Sequence, residues 1–248
     1  MTSDHDMKAE TVTITGDNGD EIEAYLAQPL ADGAYGGVVV IHHMPGYDRW
    51  TKEVARRFAS EGYIALVPNL YHREAPGASP DDAAAAARAR GGVPDERLVG
   101  DVRGAVQHIK AMANSNGKVG TIGHCSGGRQ SFLAAVSIPL DAAVDCYGGA
   151  VVTAPPADFP VHMPSLLDRS KDLTCPLLGL FGDDDKFPTP DEVATLSKEL
   201  ESHGKTFEFH SYPGAGHAFF AADRPSYRPE AAVDGYQRIG SFFALYLR

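Results

Sequence analysis

Gly123-His124-Cys125-Ser126-Gly127-Gly128 follows the short apolar run Val119-Gly120-Thr121-Ile122 and precedes Arg129 to Val136, whose apolar residues are spaced as in a helix. A strand, a sharp turn with a nucleophilic side chain at its tip, and a helix make a G-x-nucleophile-x-G elbow. Such a turn brings neighbouring chain segments together, so side chains at Gly123 and Gly127 would clash, and it holds the central residue in strained backbone geometry. A helix beginning just after Cys125 aims its amide dipoles at the sulfur, which favours a thiolate and later an oxyanion. A buried, inert cysteine at a strand end is the competing reading of these six residues alone.

Outward from the elbow, short apolar runs recur at Val38 to Ile41, Ile64 to Val67, Ala142 to Val144, Leu177 to Phe181 and Phe207 to His210. Runs of this length and continuity suit strands buried on both faces of a parallel sheet. Between them lie helically patterned segments at Trp50 to Ser60, Glu96 to Ala113, Asp191 to Glu201 and Ala231 to Leu247. Alternation of strand and helix predicts an α/β fold, with a mostly parallel central sheet of about eight strands and helices on both faces. Glu10 to Ala27 alternates around the turn signal Gly16-Asp17-Asn18-Gly19 and predicts an antiparallel hairpin at the sheet edge. The Ala-rich stretch Asp82 to Arg90, flanked by Ala75-Pro76-Gly77 and Gly91-Gly92-Val93-Pro94, reads as a loop-and-helix excursion that covers the site.

The 248 residues fit one α/β domain spanning 1–248, and neither 43% hydrophobic nor 22% charged content points to disorder or a membrane class. A formal net charge of −11 argues against nucleic acid, which is held by clustered Lys and Arg. Met1 to Lys8 lacks the features of a signal peptide and no apolar run reaches membrane-spanning length, so the expectation is a cytoplasmic protein without a membrane partner. Cys125, Cys146 and Cys175 are an odd number at no zinc-ligand spacing; free thiols are expected, with Cys146 and Cys175 in the core.

Two further segments single out Cys125. Gly182-Asp183-Asp184-Asp185 closes the run Leu177 to Phe181, and Gly214-Ala215-Gly216-His217 follows the final strand. Nucleophile, acid and histidine thus come in the chain order of the α/β-hydrolase fold. His217 would carry protons to and from the sulfur and the leaving alcohol, and the acid would orient the ring. Asp185 is the preferred acid over Asp184, because it lies three residues beyond the strand-ending glycine.

With these residues in place, the chain resembles the dienelactone hydrolases, or carboxymethylenebutenolidases, which carry cysteine at the elbow. The resemblance extends over Glu61-Gly62-Tyr63, Val67-Pro68-Asn69-Leu70-Tyr71, Ser115 to Gly120, Tyr212 to His217 with Phe219, and the closing Asp223-Arg224-Pro225-Ser226-Tyr227. It implies an α/β-hydrolase fold, a Cys125–Asp185–His217 triad, and an oxyanion hole from the backbone amides of Ser126 and Met44. A small-molecule ester or lactone substrate, no cofactor or metal, and a monomer or homodimer complete the expectation. The chain also departs from the family. Where those enzymes place a glutamate beside the cysteine, this chain has His43, which either helps to activate the thiol or shapes the pocket. Of the two arginines that hold the substrate carboxylate, one position falls on Ala221 and the other, without gaps, on Ala83. Arg88, Arg90 and Arg224 are candidate replacements, with Phe219 a further pocket candidate. If these arginines converge on the pocket, a carboxylated substrate is expected; otherwise a neutral one.

Two other classes compete. His42, His43, His124, Cys125, Asp185 and His217 could together hold a zinc ion for metal-assisted hydrolysis, although no ligand spacing supports it. Alternatively, the fold could serve a non-catalytic binding or redox-sensing protein, with Cys125 as a reversible thiol. His42 and His124 by themselves read as polar residues near strand ends.

Overall fold

The architecture is that of a computed structural model, which describes residues 6–248. Residues 1–5, and with them most of the segment on which the absence of a signal peptide was judged, lie outside the described residues.

The chain opens with β1 (Met7–Thr15) and β2 (Glu21–Pro29), paired antiparallel with Ile14 opposite Ile22. Asn18 and Gly19 both take positive φ in the turn between them, a conformation that Asn and Gly tolerate best. Six more strands follow: β3 (Tyr35–Ile41), β4 (Ile64–Pro68), β5 (Ser115–His124), β6 (Ala142–Cys146), β7 (Leu177–Gly182) and β8 (Phe207–Tyr212). All eight form one sheet in the order β1-β2-β4-β3-β5-β6-β7-β8. β2 is antiparallel to β4, and every pairing from β4 to β8 is parallel. This is the predicted α/β-hydrolase sheet with its antiparallel edge.

The helices are α1 (Arg49–Ser60), α2 (Pro80–Ala89), α3 (Asp95–Ala111), α4 (Ser126–Ala135), α5 (Pro190–Ser202) and α6 (Pro229–Leu247). Local chemistry sets several starts. The Asp48 side chain accepts from the Thr51 N–H at α1, Ser79 accepts from the Asp82 N–H at α2, and Thr189 and Glu192 form a reciprocal capping box at α5. Successive residues of β3 point to opposite faces: Val39 and Ile41 enter a core with α3, α4 and α5, while Val38 and Val40 enter another with α1 and α6. Burial on both faces explains the unbroken apolar runs.

The structure moves some boundaries. β5 starts at Ser115 rather than Val119, because Tyr35 pairs with Ser115 beyond a bulge. α4 starts at Ser126, just after Cys125 as expected, so the helix extends three residues ahead of the apolar spacing that begins at Arg129 and takes Gly127 and Gly128 into its first turn. A 3-10 turn at Leu167–Asp172 carried no apolar period by which to recognise it. Among the described residues, no helix is long and apolar enough to cross a membrane.

Candidate active site

β3 and β5 are neighbours whose following helices diverge to opposite faces of the sheet, and the crevice beyond their C-terminal ends is where an open α/β sheet binds ligands. Cys125 sits there, between β5 and α4, with φ 58° and ψ −125°. A non-glycine residue keeps such a backbone only where its surroundings impose it. They do so here. A Cβ on Gly123 would lie 2.0 Å from the Gly127 carbonyl oxygen, and one on Gly127 would lie 2.4 Å from that of Ile41. The Cys125 N–H donates to the Cys146 carbonyl at 3.0 Å and ties the elbow to β6.

His217 and Asp185 stand together as predicted, with Nδ1 of the ring 2.9 Å from Oδ2 of the carboxylate. Asp185 is buried and its Oδ1 accepts from the Phe187 N–H at 2.9 Å, whereas Asp183 and Asp184 are exposed. Burial acts to lower the pKa of His217, but the hydrogen bond that its ring donates to Asp185 and the interaction with Cys125 outweigh it and bring it to about 10. Cys125 and His217 line one cavity of about 70 Å³ with His43, Asp48, Trp50, His124, Tyr147 and Arg224.

His43 is therefore at the site, and it does not stand alone. Its Nε2 is 2.6 Å from Oδ2 of Asp48, the carboxylate that caps α1 through its other oxygen. Although burial acts to raise it, the Asp48 carboxyl is held down at about 2 by the His43 and Thr51 hydrogen bonds. His42 and His124 are fully enclosed, and burial lowers their pKa values to about 4 and about 3, so both are neutral rings at neutral pH.

Met44 and Ser126 both line a second, smaller cleft, with Tyr71, Arg88 and Arg129. Arg88 thus borders the cleft of Met44 and Ser126, and Arg224 the cavity of Cys125 and His217. Two candidates take other positions. Arg90 is exposed at the end of α2 and lines neither space. Phe219 is completely buried, its ring 5.2 Å from both Tyr147 and Tyr212, so it belongs to the core beneath the site. Ala83 and Ala221, the positions left without arginine, are buried.

Although four of the six possible metal ligands line one cavity, among the described residues no group of three or more His, Cys, Asp or Glu is arranged to hold an ion. His42 in particular is engaged through both nitrogens, to the Leu70 N–H and the His43 carbonyl. Cys146 and Cys175 are free and buried; burial pushes Cys146 well up and Cys175 to about 12, which leaves them as inert core thiols.

Residues not singled out from the sequence complete the walls. Tyr147 directly follows β6, has φ 45°, and sets its ring edge-on to His217 at 5.2 Å. Trp50 packs edge-on against His124 at 4.8 Å. The one signal for Tyr147 was its place at the C-terminal end of a central strand.

Comparison with known proteins agrees with this geometry. The pattern of the Dienelactone hydrolase family matches residues 22–247. A provisionally named carboxymethylenebutenolidase of Salmonella typhimurium is 36% identical over 246 residues, covering 95% of this chain and 87% of its own. A Bradyrhizobium protein, provisionally named 2-oxo-3-(5-oxofuran-2-ylidene)propanoate lactonase, is 31% identical over 237 residues, with 93% of each chain covered. The crystal structure of a provisionally named dienelactone hydrolase from Klebsiella pneumoniae superposes with a TM-score of 0.85 at 31% identity, covering 98% of this chain and all of that one. On sequence, sheet order and the shape of its elbow, the chain belongs to the dienelactone hydrolase family.

Proposed function

We propose that the protein hydrolyses a small ester or lactone bearing a carboxylate, with Cys125 as nucleophile, His217 as acid and base, and Asp185 as the group that orients His217. The observation that carries this reading is the arrangement in one cavity: Cys125 on a strained elbow, and a partly open imidazole backed at 2.9 Å by a buried carboxylate.

In the forward reaction the sulfur of Cys125 attacks the carbonyl carbon, and the carbonyl electron pair moves to oxygen. Ser126, at the first position of α4, has an N–H with no intrahelical partner, and Met44 lines the same cleft; the backbone N–H groups of these two residues are the donors to the oxyanion in this reading. Collapse expels the alkoxide, which takes its proton from the His217 imidazolium and leaves an acyl-thioenzyme. Water then gives a proton to His217 and attacks the thioester carbon. Release of the acid returns the thiolate and imidazolium.

Arg224 in the cavity of Cys125, and Arg88 in the cleft of Met44 and Ser126, support an anionic substrate, since a guanidinium holds a carboxylate through charge-assisted hydrogen bonds. The Bradyrhizobium relative's name describes a lactone with a propanoate side chain, which has this chemistry. The cavity of about 70 Å³ favours a compact molecule.

The test is turnover of p-nitrophenyl acetate by the wild type and by Cys125→Ala, with acid-quenched samples weighed by mass spectrometry. Turnover by the wild type alone, with an acetyl adduct on Cys125, is the expected result. A wild type no faster than the variant across a panel of activated esters would end this reading.

A further inference from the structure

His42 lies directly after β3 and is 1% exposed, outside the triad. Its Nε2 accepts a hydrogen bond from the Leu70 N–H at 3.1 Å, so that nitrogen carries the lone pair and the ring proton is on Nδ1. The Nδ1–H in turn donates to the His43 carbonyl at 2.9 Å, and the same oxygen accepts from the Gly46 N–H at 2.8 Å. That carbonyl shares a peptide unit with the Met44 N–H. Among the described residues only Phe187–Pro188 is cis, and in a trans unit C=O and N–H point in opposite directions. Pinning the His43 carbonyl to His42 therefore turns the Met44 N–H away from the buried side of the loop, where it has no backbone partner of its own among the described residues. The following carbonyl is held too: the Tyr71 hydroxyl donates to the Met44 oxygen at 3.2 Å, and the Tyr71 ring packs edge-on to His42 at 4.6 Å.

We propose that His42 is a positioning residue of the oxyanion hole, a relay from the Leu70 amide to the His43 carbonyl that fixes the direction of the Met44 N–H. The proposal rests on the hydrolase reading, in which that N–H stabilises a carbonyl oxyanion. It accounts for a buried histidine whose two nitrogens both serve the backbone. An oxyanion donor is effective only if it is already aimed when charge develops, so a fixed peptide plane next to the nucleophile is where catalysis gains most from a second residue. Burial favours the neutral ring that the relay requires. His43 and Asp48, the ionisable groups that act on it, are engaged with each other.

The experiment compares His42→Leu, which keeps bulk but has no donor, with His42→Asn, whose amide nitrogen can take the place of Nδ1. Two rates are read: kcat and KM on p-nitrophenyl acetate, and alkylation of Cys125 by iodoacetamide, a displacement at saturated carbon that builds no carbonyl oxyanion. His42→Leu is expected to lower kcat about 10- to 100-fold with alkylation changed by no more than about twofold, and His42→Asn to recover most of kcat. Unchanged turnover, or turnover and alkylation falling by the same factor, would overturn the proposal. Should the leucine variant not fold, 15N NMR of the wild-type histidine rings decides the matter. A neutral His42 protonated on Nδ1 near pH 7 is required, and the other tautomer or an imidazolium refutes it. A wild type without esterase activity but with a reactive Cys125 would instead remove the hydrolase reading, and this proposal with it.

Discussion

Nε2 of His43 stands 2.6 Å from Oδ2 of Asp48, so the second imidazole on the Cys125 cavity carries its own carboxylate, as His217 does. The same carboxylate caps α1, which joins the electrostatics of the cavity to the start of a helix.

If the dyad activates the thiol, His43→Ala should slow alkylation of Cys125 by iodoacetamide at neutral pH by about three- to tenfold, since the rate follows the thiolate population. Asp48→Asn keeps a good cap and removes only the charge, so it should slow the same reaction with little loss of stability. Asp48→Ala should cost about 1 kcal/mol more in a denaturant titration. An alkylation pH profile identical in wild type and His43→Ala would leave His43 as a pocket wall.

Asp185→Asn should reduce kcat about 10³-fold, because the amide can favour the wrong tautomer of His217. Asp184→Asn, at an exposed site, should stay within about twofold. The pair also predicts a pH effect on stability. Asp185 and Cys125 raise the pKa of His217 from 6.5 to about 10 against the effect of burial. A raised histidine stabilises the fold fully below its unfolded pKa and loses this contribution as pH rises through the folded value. Melting curves should therefore show the Tm gap between wild type and Asp185→Asn narrowing as pH rises towards 10.

For the substrate, Arg88→Ala and Arg224→Ala should each raise KM for a carboxylated lactone about tenfold or more, while a neutral ester of similar size keeps its KM. Arg90→Ala should change neither, because Arg90 lines neither space. Equal effects on charged and neutral substrates would remove carboxylate recognition from both arginines.

Asp145 in β6, buried behind the elbow beside Gly128, gives a test of stability. Burial raises its carboxyl to about 7; Oδ1 accepts from the Gly148 N–H at 2.8 Å, and Oδ2 has no partner. A raised carboxyl costs stability progressively as pH rises from its unfolded value of 3.8 to its folded value, and in full above that. Asp145→Asn preserves an acceptor for Gly148, and should raise Tm by about 3 °C or more at pH 8 and by much less at pH 5.

The local and periodic features of the fold are legible in the sequence. Continuous apolar runs gave the buried parallel strands, alternation around Asp17-Asn18 gave the hairpin, and the glycine spacing gave the elbow. The contacts behind that spacing are not legible along the chain: a Cβ on Gly127 would meet the Ile41 carbonyl at the end of β3, and one on Gly128 would meet Asp145 and the Cys146 carbonyl of β6. Phe219 looked like a pocket residue from its place two positions after His217, yet the chain turns at Ala218, where φ is 63°, and Phe219 goes into the core.

By itself, the sequence determined the strand-and-helix order, the family, and the placing of a cysteine, an aspartate and a histidine at successive strand ends, because those depend on residue type and spacing along the chain. Only the tertiary structure decided that His43 is paired with Asp48, that the His42 ring bridges the Leu70 amide and the His43 carbonyl, and that Arg88 lines a cleft while Arg90 does not. Each of these depends on distances of a few ångströms between segments brought together by packing, and no one-dimensional period encodes them.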